Sequence, residues 1–241
     1  QKAMTQFEWH NGTVKNMHVD LPTLHNYQKQ LGQAVRTYEQ RVSWLSSGSR
    51  RIWGTVCEMR LAVLVDLSEM NANYLVHVQH SMRLLLQTQL TGKESFNIIT
   101  FGMDIQAFRP SPVPPSPENL QAAWSWVLEW RCGGGRDLLG ALRLLLEDPE
   151  GPPEGIYVFT SGVPDQDLIK HLVAVCGYVE EANLGQEVRL HACLFSAGGS
   201  GSGGGGTSGP ACYASGAETA EALRALARAG RGRLHCFSEQ G

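Results

Sequence analysis

The chain has 241 residues, 42% of them hydrophobic and 18% charged, which fits one good-sized globular domain or one domain with an added arm. The net charge is −3 with acidic and basic residues interspersed, so no basic face favours nucleic acid or anionic lipid as a partner. No apolar run reaches the ~18 residues of a membrane span, and the start at Gln1 shows no signal-peptide pattern and indicates a fragment of something longer.

The first 54 residues predict an extended segment followed by a helical arm. Residues 1–22 read as extended or irregular, and from Thr23 to about Trp44 apolar residues recur at three- and four-residue spacing. The recurring residues are Leu24, Tyr27, Leu31, Val35, Tyr38 and Val42. An amphipathic pattern mostly reports burial, so we favour an arm that lies on the main domain over a partner-binding helix.

Strands and helices alternate from residue 55 onward. The apolar run Arg60–Asp66 predicts a strand that is covered on both faces, and the pattern from Asn71 to Leu90 predicts a long helix. Phe96–Phe101 is a second buried strand, and a hairpin turn at 102–104 joins it to a short strand at Ile105–Phe108.

The middle of the chain continues the alternation after a proline-rich connection at 110–117. Ser116 is placed to cap a helix that begins at Pro117. A glycine loop at 132–135 precedes a Leu-rich helix from Asp137 to Glu147, and Gly155–Thr160 predicts a third apolar strand.

The last part of the chain predicts two more helices and two more strands. A helix runs from Asp165 to about Asn183 and is followed by a strand at Val188–Phe195. The Gly/Ser tract at 198–209 should be a flexible loop. A helix at Ala217–Ala229 and a short strand at Arg233–Phe237 complete the chain.

This order of elements predicts an α/β fold over residues 55–241. We expect a doubly wound, mostly parallel sheet with one antiparallel edge strand, flanked by helices, and an N-terminal helical arm. Ligands of such sheets bind at the carboxyl ends of the strands, where the strand order reverses. Asp66, the loop at 133–136 and Ser161 lie at strand ends or beside them, so we expect them to converge.

Six cysteines are scattered singly along the chain, at positions 57, 132, 176, 193, 212 and 236. No CxxC pair is present, so no spacing supports a zinc site. The even count permits disulfides, but Cys176 and Cys193 lie in apolar patterns and read as small buried residues of a reduced intracellular protein. The sequon Asn11-Gly12-Thr13 would matter only in a secreted protein.

Three stretches resemble the von Willebrand factor A domain family: DLSEM at 66–70, the glycine loop before LLGAL at 138–142, and VFTSG at 158–162. The likeness covers roughly residues 58–238. The upstream stretch GSRRIWGTVCE at 48–58 resembles, more specifically, the type 3 subfamily of intracellular proteins that carry A domains.

The resemblance implies a metal-ion-dependent adhesion site, in which hydroxyl and carboxylate oxygens hold a Mg²⁺ whose open position accepts a ligand carboxylate. The family pattern combines a DxSxS motif with a threonine on a second loop and an aspartate on a third. Asp66 and Ser68 match the pattern. Met70, Arg136 and Ser161 stand where the family has serine, threonine and aspartate, so the implied site is degenerate.

Each departure weakens metal binding. Met70 offers a soft thioether, Ser161 lacks a negative charge, and Arg136 would repel a divalent ion ~4 Å away by a few kcal/mol. The alternative is that Arg136 takes over the role of the ion and hydrogen-bonds to Asp66. Asp137 competes for that place, because the register of the glycine loop is open by one residue, and some metal binding would survive if Asp137 faced the pocket.

Motifs for catalysis are weak in this sequence. Gly201-x-Gly203-x-x-Gly206 fits the dinucleotide fingerprint only as any glycine tract does, and no P-loop, HExxH or GxSxG motif occurs. We therefore predict that the chain is not an enzyme.

The predicted function is a metal-independent protein-interaction or scaffold module of a larger intracellular assembly, without a cofactor. The expected partners are other proteins, neither nucleic acid nor membrane, and the candidate contacts are the N-terminal arm with Asp66, Ser68, Arg136 and Ser161. The alternative is a Mg²⁺-dependent binder that captures acidic protein ligands through Asp66 and Ser68. The resemblance implies a cytoplasmic location, with cytoskeletal or axonemal (ciliary) association as a further expectation.

Overall fold

The computed structural model describes residues 2–148, 151–160, 166–185, 187–196 and 216–238. The chain divides into two units, Gln1–Ser47 and Gly48–Gly241, which are described separately below. The described residues contain no helix that is both long enough and apolar enough to span a membrane.

The first unit is a β-hairpin followed directly by a long helix. Strand β1 (Lys2–Glu8) pairs antiparallel with β2 (Val14–Asp20), and helix α1 (Leu21–Leu45) begins where β2 ends. In the hairpin turn the N–H of Gly12 donates to the Trp9 carbonyl over 2.8 Å, and Gly12 has a φ of 78° that favours glycine. The segment predicted to be extended or irregular is therefore a regular hairpin.

The second unit is built on a six-stranded sheet of order β5-β4-β3-β6-β7-β8. All neighbouring strands are parallel except β5, which pairs antiparallel with β4 at one edge. The strands are β3 (Arg60–Asp66), β4 (Ser95–Phe101), β5 (Gln106–Ala107), β6 (Gly155–Thr160), β7 (Arg189–Ser196) and β8 (Arg231–Ser238). The helices are α2 (Ser49–Trp53), α3 (Leu75–Thr88), α4 (Pro117–Leu128), α5 (Leu138–Leu146), α6 (Gln166–Ala182) and α7 (Gly216–Ala229). The predicted fold class is confirmed, including the single antiparallel edge strand.

Strand β3 shows why its sequence is a continuous apolar run. Leu61, Val63 and Val65 pack in a core with residues of α2, α3 and α4. Ala62 and Leu64 belong to a second core that includes residues of α5, α6 and α7. Burying each Val or Leu side chain contributes roughly 1.5–3 kcal/mol, so a strand covered on both faces selects apolar residues at every position.

Helix α2 ties the segment before β3 into the second unit. Trp53 has no exposed surface, and its indole N–H donates to the Ser81 carbonyl over 3.0 Å. The Trp53 ring also lies 5.2 Å from the Phe159 ring, centroid to centroid. The segment 49–53 was not predicted to be helical, because five residues are too short for a helical period to be read.

The strand order reverses at β3. From β3 the chain proceeds outward through β4 and β5 on one side and then returns to β6 on the other side of β3. The carboxyl ends of β3 and β6 are therefore neighbours at the reversal point, which is where ligands of doubly wound sheets bind. Asp66 ends β3 and Thr160 ends β6.

Candidate functional site

The carboxylate of Asp66 is the centre of the candidate site. Asp66 is 1% exposed, and its Oδ1 accepts the backbone N–H of Ser68 over 3.0 Å. Its Oδ2 accepts the Thr160 hydroxyl at 2.8 Å and forms an ion pair with the Arg136 Nε, also at 2.8 Å. A buried carboxylate needs such partners. Here it has three hydrogen-bond donors, one of which is the positively charged guanidinium of Arg136.

Arg136 reaches Asp66 from the loop before α5. Its side chain is 9% exposed, and the same Nε–H also donates to the Ser68 hydroxyl over 3.2 Å. Burial lowers the pKa of the Arg136 guanidinium below its usual range and the Asp66 carboxylate opposes that shift, but an arginine stays protonated at neutral pH. The permanent cation of this site is therefore part of the protein.

The register of the glycine loop follows from Asp137. Its Oδ1 accepts the N–H of Gly140 over 2.8 Å, so Asp137 is the N-cap of α5. The capping aspartate is held at the start of the helix, and the residue before it, Arg136, is the one in contact with Asp66.

Close backbone contacts explain the glycines of this loop. The N–H of Gly133 donates to the Leu67 carbonyl over 2.9 Å, and the N–H of Glu69 donates to the Gly134 carbonyl over 3.2 Å. Gly134 has a φ of 71°, and a Cβ at this residue would lie 2.5 Å from the Met103 Cα. Glycine at position 134 therefore allows the loop before Arg136 to lie against the backbone of Met103, while the two hydrogen bonds join this loop to the segment after Asp66.

Sequence reasoning missed two residues of the site, Thr160 and Asn71. Thr160 binds the carboxylate directly, whereas the predicted residue of that loop, Ser161, lies outside the described residues. Asn71 has no exposed surface, and its Nδ2 donates to the Asp66 carbonyl over 2.9 Å. The signal for Thr160 was its place at the end of a strand next to β3; nothing in the sequence marked Asn71.

The groups around Asp66 do not form a ligand set that fits a Mg²⁺ ion. Octahedral coordination of this ion needs several oxygen ligands at ~2.0–2.1 Å, but the Ser68 hydroxyl and the Asp66 Oδ2 both share the Arg136 Nε–H. Met70 lies on the turn Glu69–Tyr74 with a 40% exposed side chain. Among the described residues, no group of three or more His, Cys, Asp or Glu side chains could hold a metal ion.

Asp66 and Ser68 are both 1% exposed. They hold the surrounding loops by internal hydrogen bonds and are not accessible to a partner protein in this conformation. The exposed residues beside them include Met70 and Met103, the latter 76% exposed. A cleft of about 330 Å³ lies at this edge, and its lining includes Met103 and Trp130. We call the exposed residues here the edge surface: Met70, Met103, Asp104, Glu129 and Arg131.

A second buried carboxylate, Glu58, lies before the amino end of β3. Its Oε2 accepts the Tyr157 hydroxyl over 2.7 Å, and its Oε1 lies 3.3 Å from the His191 Nε2 and 3.7 Å from the Arg189 Nη1. Burial acts to raise the pKa of Glu58, but hydrogen bonds from His191, Tyr157 and its own backbone outweigh it and lower the pKa to about 2. This cluster ties β3 to β6 and β7 from within.

Comparison with known proteins shows which family and which sequences are similar to this chain. The family model described as von Willebrand factor type A domain matches residues 59–201 and 210–236. The chain is 49% identical over its full length to human von Willebrand factor A domain-containing protein 3A, and 25% identical over 75% of its length to the human protein 3B. It spans only 20% and 14% of these two relatives.

A solved structure is similar to the chain in fold. The pilus adhesin SpaC from Lactobacillus rhamnosus GG, in its open conformation, matches 75% of this chain and 28% of its own, with a TM-score of 0.53 and 13% identity. At that identity the likeness shows the architecture alone.

Proposed function

The chain belongs to the von Willebrand factor type A domain family, within its type 3 subfamily, and from this premise we propose that it is a protein-interaction module that works without a divalent metal. Domains of this family are generally non-enzymatic interaction modules, so other proteins are the expected class of partner. The scaffold role in a larger intracellular assembly, and the independence from metal, belong to the proposal.

One observation carries the metal independence: the Arg136 Nε lies 2.8 Å from the Asp66 Oδ2. A divalent ion bound to this carboxylate would lie close to the guanidinium. At ~4 Å and an effective dielectric constant of about 20, a +2 and a +1 charge repel by roughly 8 kcal/mol. Because Arg136 already neutralises the charge of Asp66, the pair presents no net negative charge to a divalent ion.

The geometry of Asp66 supports the same proposal. A carboxylate offers about four lone-pair sites, and Asp66 already accepts from Ser68, Thr160 and Arg136. The ion pair holds together the loop after β3 and the loop before α5, which is the structural work that a bound ion would do. We infer that Arg136 replaces the ion as the fixed positive centre of the site.

A melting experiment tests the metal independence. We expect the wild-type chain to have the same Tm in EDTA and in millimolar Mg²⁺, because the guanidinium holds the carboxylate. The double variant Met70→Ser/Arg136→Thr puts back two oxygen ligands of the family pattern and removes the cation, so its Tm should rise with Mg²⁺. Arg131→Thr removes an exposed arginine close by in sequence and should not respond.

A Mg²⁺-dependent rise in the Tm of the wild type, lost in Asp66→Asn, would overturn the proposal. It would instead establish the alternative function, a Mg²⁺-dependent binder that captures acidic ligands through Asp66 and Ser68. Calorimetric titration of the same four proteins with Mg²⁺ distinguishes the outcomes directly, because it measures ion binding and not only its effect on stability.

We assign partner contact to the edge surface, because binding loops are commonly carried at this edge by a rigid sheet. Met103 is a flexible apolar side chain, 76% exposed, at the mouth of the cleft. Cross-linking of the parent protein in its own cells, followed by mass spectrometry, would identify the partner.

The location of the contact is tested by a pair of matched variants. Met103→Glu puts a charge on the edge surface, and we expect it to abolish the cross-links to the partner. Leu184→Glu makes the same kind of change at a residue of equal exposure, 75%, that follows α6, and the cross-links should persist. Cross-links that survive Met103→Glu would move the contact elsewhere.

We extend the proposal to a cytoplasmic location, with association with the cytoskeleton or axoneme. Support comes from the five cysteines among the described residues, which are all free thiols, as is usual in a reducing compartment. Fluorescent tagging of the parent protein in ciliated cells tests the location, and a secreted or luminal signal would contradict it.

A further inference from the structure

Helix α1 presents an apolar stripe along its whole length. None of its 25 residues is buried, and Tyr38 and Val42 are 66% and 63% exposed. Most helical stability in proteins comes from packing of the apolar face, and an isolated helix is marginal in water. The stripe therefore requires a surface that covers it.

The stripe follows a seven-residue repeat. With positions labelled a to g and Leu21 at position a, the a positions are Leu21, Gln28, Val35 and Val42, and the d positions are Leu24, Leu31, Tyr38 and Leu45. Seven of these eight residues are apolar. An apolar repeat of seven, sustained over more than three turns of the repeat, is the pattern of a left-handed coiled coil.

The remaining positions agree with this assignment. The outward b, c and f positions are polar except for Pro22 and Trp44, and proline is tolerated in the first turn of a helix. No second apolar stripe competes with the first. The helix thus has one face for a partner helix and one face for solvent.

We propose that α1 pairs with α1 of a second copy of this chain in a parallel, two-stranded coiled coil. Val35 and Val42 at a, with Leu24, Leu31 and Leu45 at d, are the combination that favours two strands over three or four. This pairing is independent of the Asp66 site and of the function proposed for it.

The polar residues of α1 identify the second copy as the occupant. Gln28 is the single polar residue of the core positions, and in a parallel pair in register its amide faces the same amide of the second copy. An antiparallel or shifted pair would set Gln28 against an apolar residue and leave its polar atoms unsatisfied. Within α1, no g–e pair brings like charges together.

Analytical ultracentrifugation of the full 241-residue chain tests the pairing. We expect the wild type to be a dimer that dissociates on dilution. Leu31→Asp places a charge in the middle of the core positions, and the dissociation constant should rise at least about a hundredfold. Gln33→Asp adds the same charge at an outward f position and should leave the dimer unchanged. A monomeric wild type, or a dimer that survives Leu31→Asp, overturns the proposal.

Two single cysteine variants test the relative orientation of the two helices without placing a charge in the core of the coiled coil. In a parallel pair in register, two cysteines at a face each other within the Cβ separation of a disulfide. Oxidised Gln28→Cys should therefore form a covalent dimer beyond the level seen with the unsubstituted chain, whereas Gln33→Cys should not. A dimeric Gln28→Cys chain that does not cross-link would overturn the parallel arrangement.

Discussion

Replacing Arg136 with alanine should destabilise the second unit strongly, because the change leaves the buried carboxylate of Asp66 without its cation. The side chains of Arg136 and Asp66 are 9% and 1% exposed, and removing one partner of a buried ion pair costs about 3–5 kcal/mol. The Ser68 N–H and the Thr160 hydroxyl remain on the carboxylate. We therefore expect the lower end of the range, about 3 kcal/mol.

Urea unfolding followed by near-UV circular dichroism measures this loss. Arg136→Met removes the charge while keeping much of the volume, and Asp66→Asn removes the other charge. If the pair is the source of the effect, Arg136→Met should cost less in the Asp66→Asn background than alone. Arg131→Ala, at an exposed arginine, is the matched control and should change stability by less than about 0.5 kcal/mol.

The reasoning is refuted by either of two results. A loss below about 1 kcal/mol for Arg136→Ala would be that of a surface ion pair, and the guanidinium would then not be held against Asp66 in solution. An equal loss in the presence and absence of the Asp66 charge would mean that Arg136 acts through packing or through its hydrogen bond to Ser68 and not through the ion pair.

Three further changes test other parts of the structure. The folded-state pKa of Glu58, about 2, lies below its ordinary value of 4.5. The ionised Glu58 therefore stabilises the folded state by about 3 kcal/mol above pH 4.5, and this contribution is lost as the pH falls to 2. Glu58→Gln should flatten the curve of Tm against pH in that window. Gly134→Ala forces a side chain into a left-handed backbone conformation and a close contact, so it should lower the free energy of unfolding in urea by about 1–3 kcal/mol. The control Gly135→Ala, with open space around the residue, should leave that free energy nearly unchanged. Asn71→Ala removes a buried hydrogen bond to the Asp66 carbonyl and should lower the free energy of unfolding by about 1–3 kcal/mol; an unchanged midpoint would show that this bond does not hold the turn.

The sequence predicted best those elements that are buried on both faces. The predicted bounds of β3 and β6 agree with the structure, Arg60–Asp66 and Gly155–Thr160, because a doubly covered strand is apolar until it leaves the core. The cap of α4 was also predicted: the Ser116 hydroxyl accepts the N–H of Asn119 over 3.3 Å. In both cases a local pattern carries the whole physical cause.

The misses have a different cause. The helix predicted from Asn71 is a 3-10 helix up to Tyr74, and α3 begins at Leu75. Asn71 points inward and holds the Asp66 carbonyl. That contact joins residues through the folded loop, and no periodicity records it. The β1–β2 hairpin had a local signal, the Asn11-Gly12 pair typical of hairpin turns, which we had interpreted only as part of a glycosylation sequon.

A fixed arginine changes what controls a domain of this kind. A metal ion offers a partner an open coordination position and comes and goes with ion supply, whereas the Arg136 Nε–H is already used by Asp66 and Ser68. Because the pair is buried, mobile ions screen it much less than a surface pair. Chelators and moderate salt should then leave the loops in place, so any regulation of binding has to act on the edge surface or on the partner. Under the proposed function, a domain whose loops are set by folding alone suits a permanent component of an assembly better than a switch that responds to divalent ions.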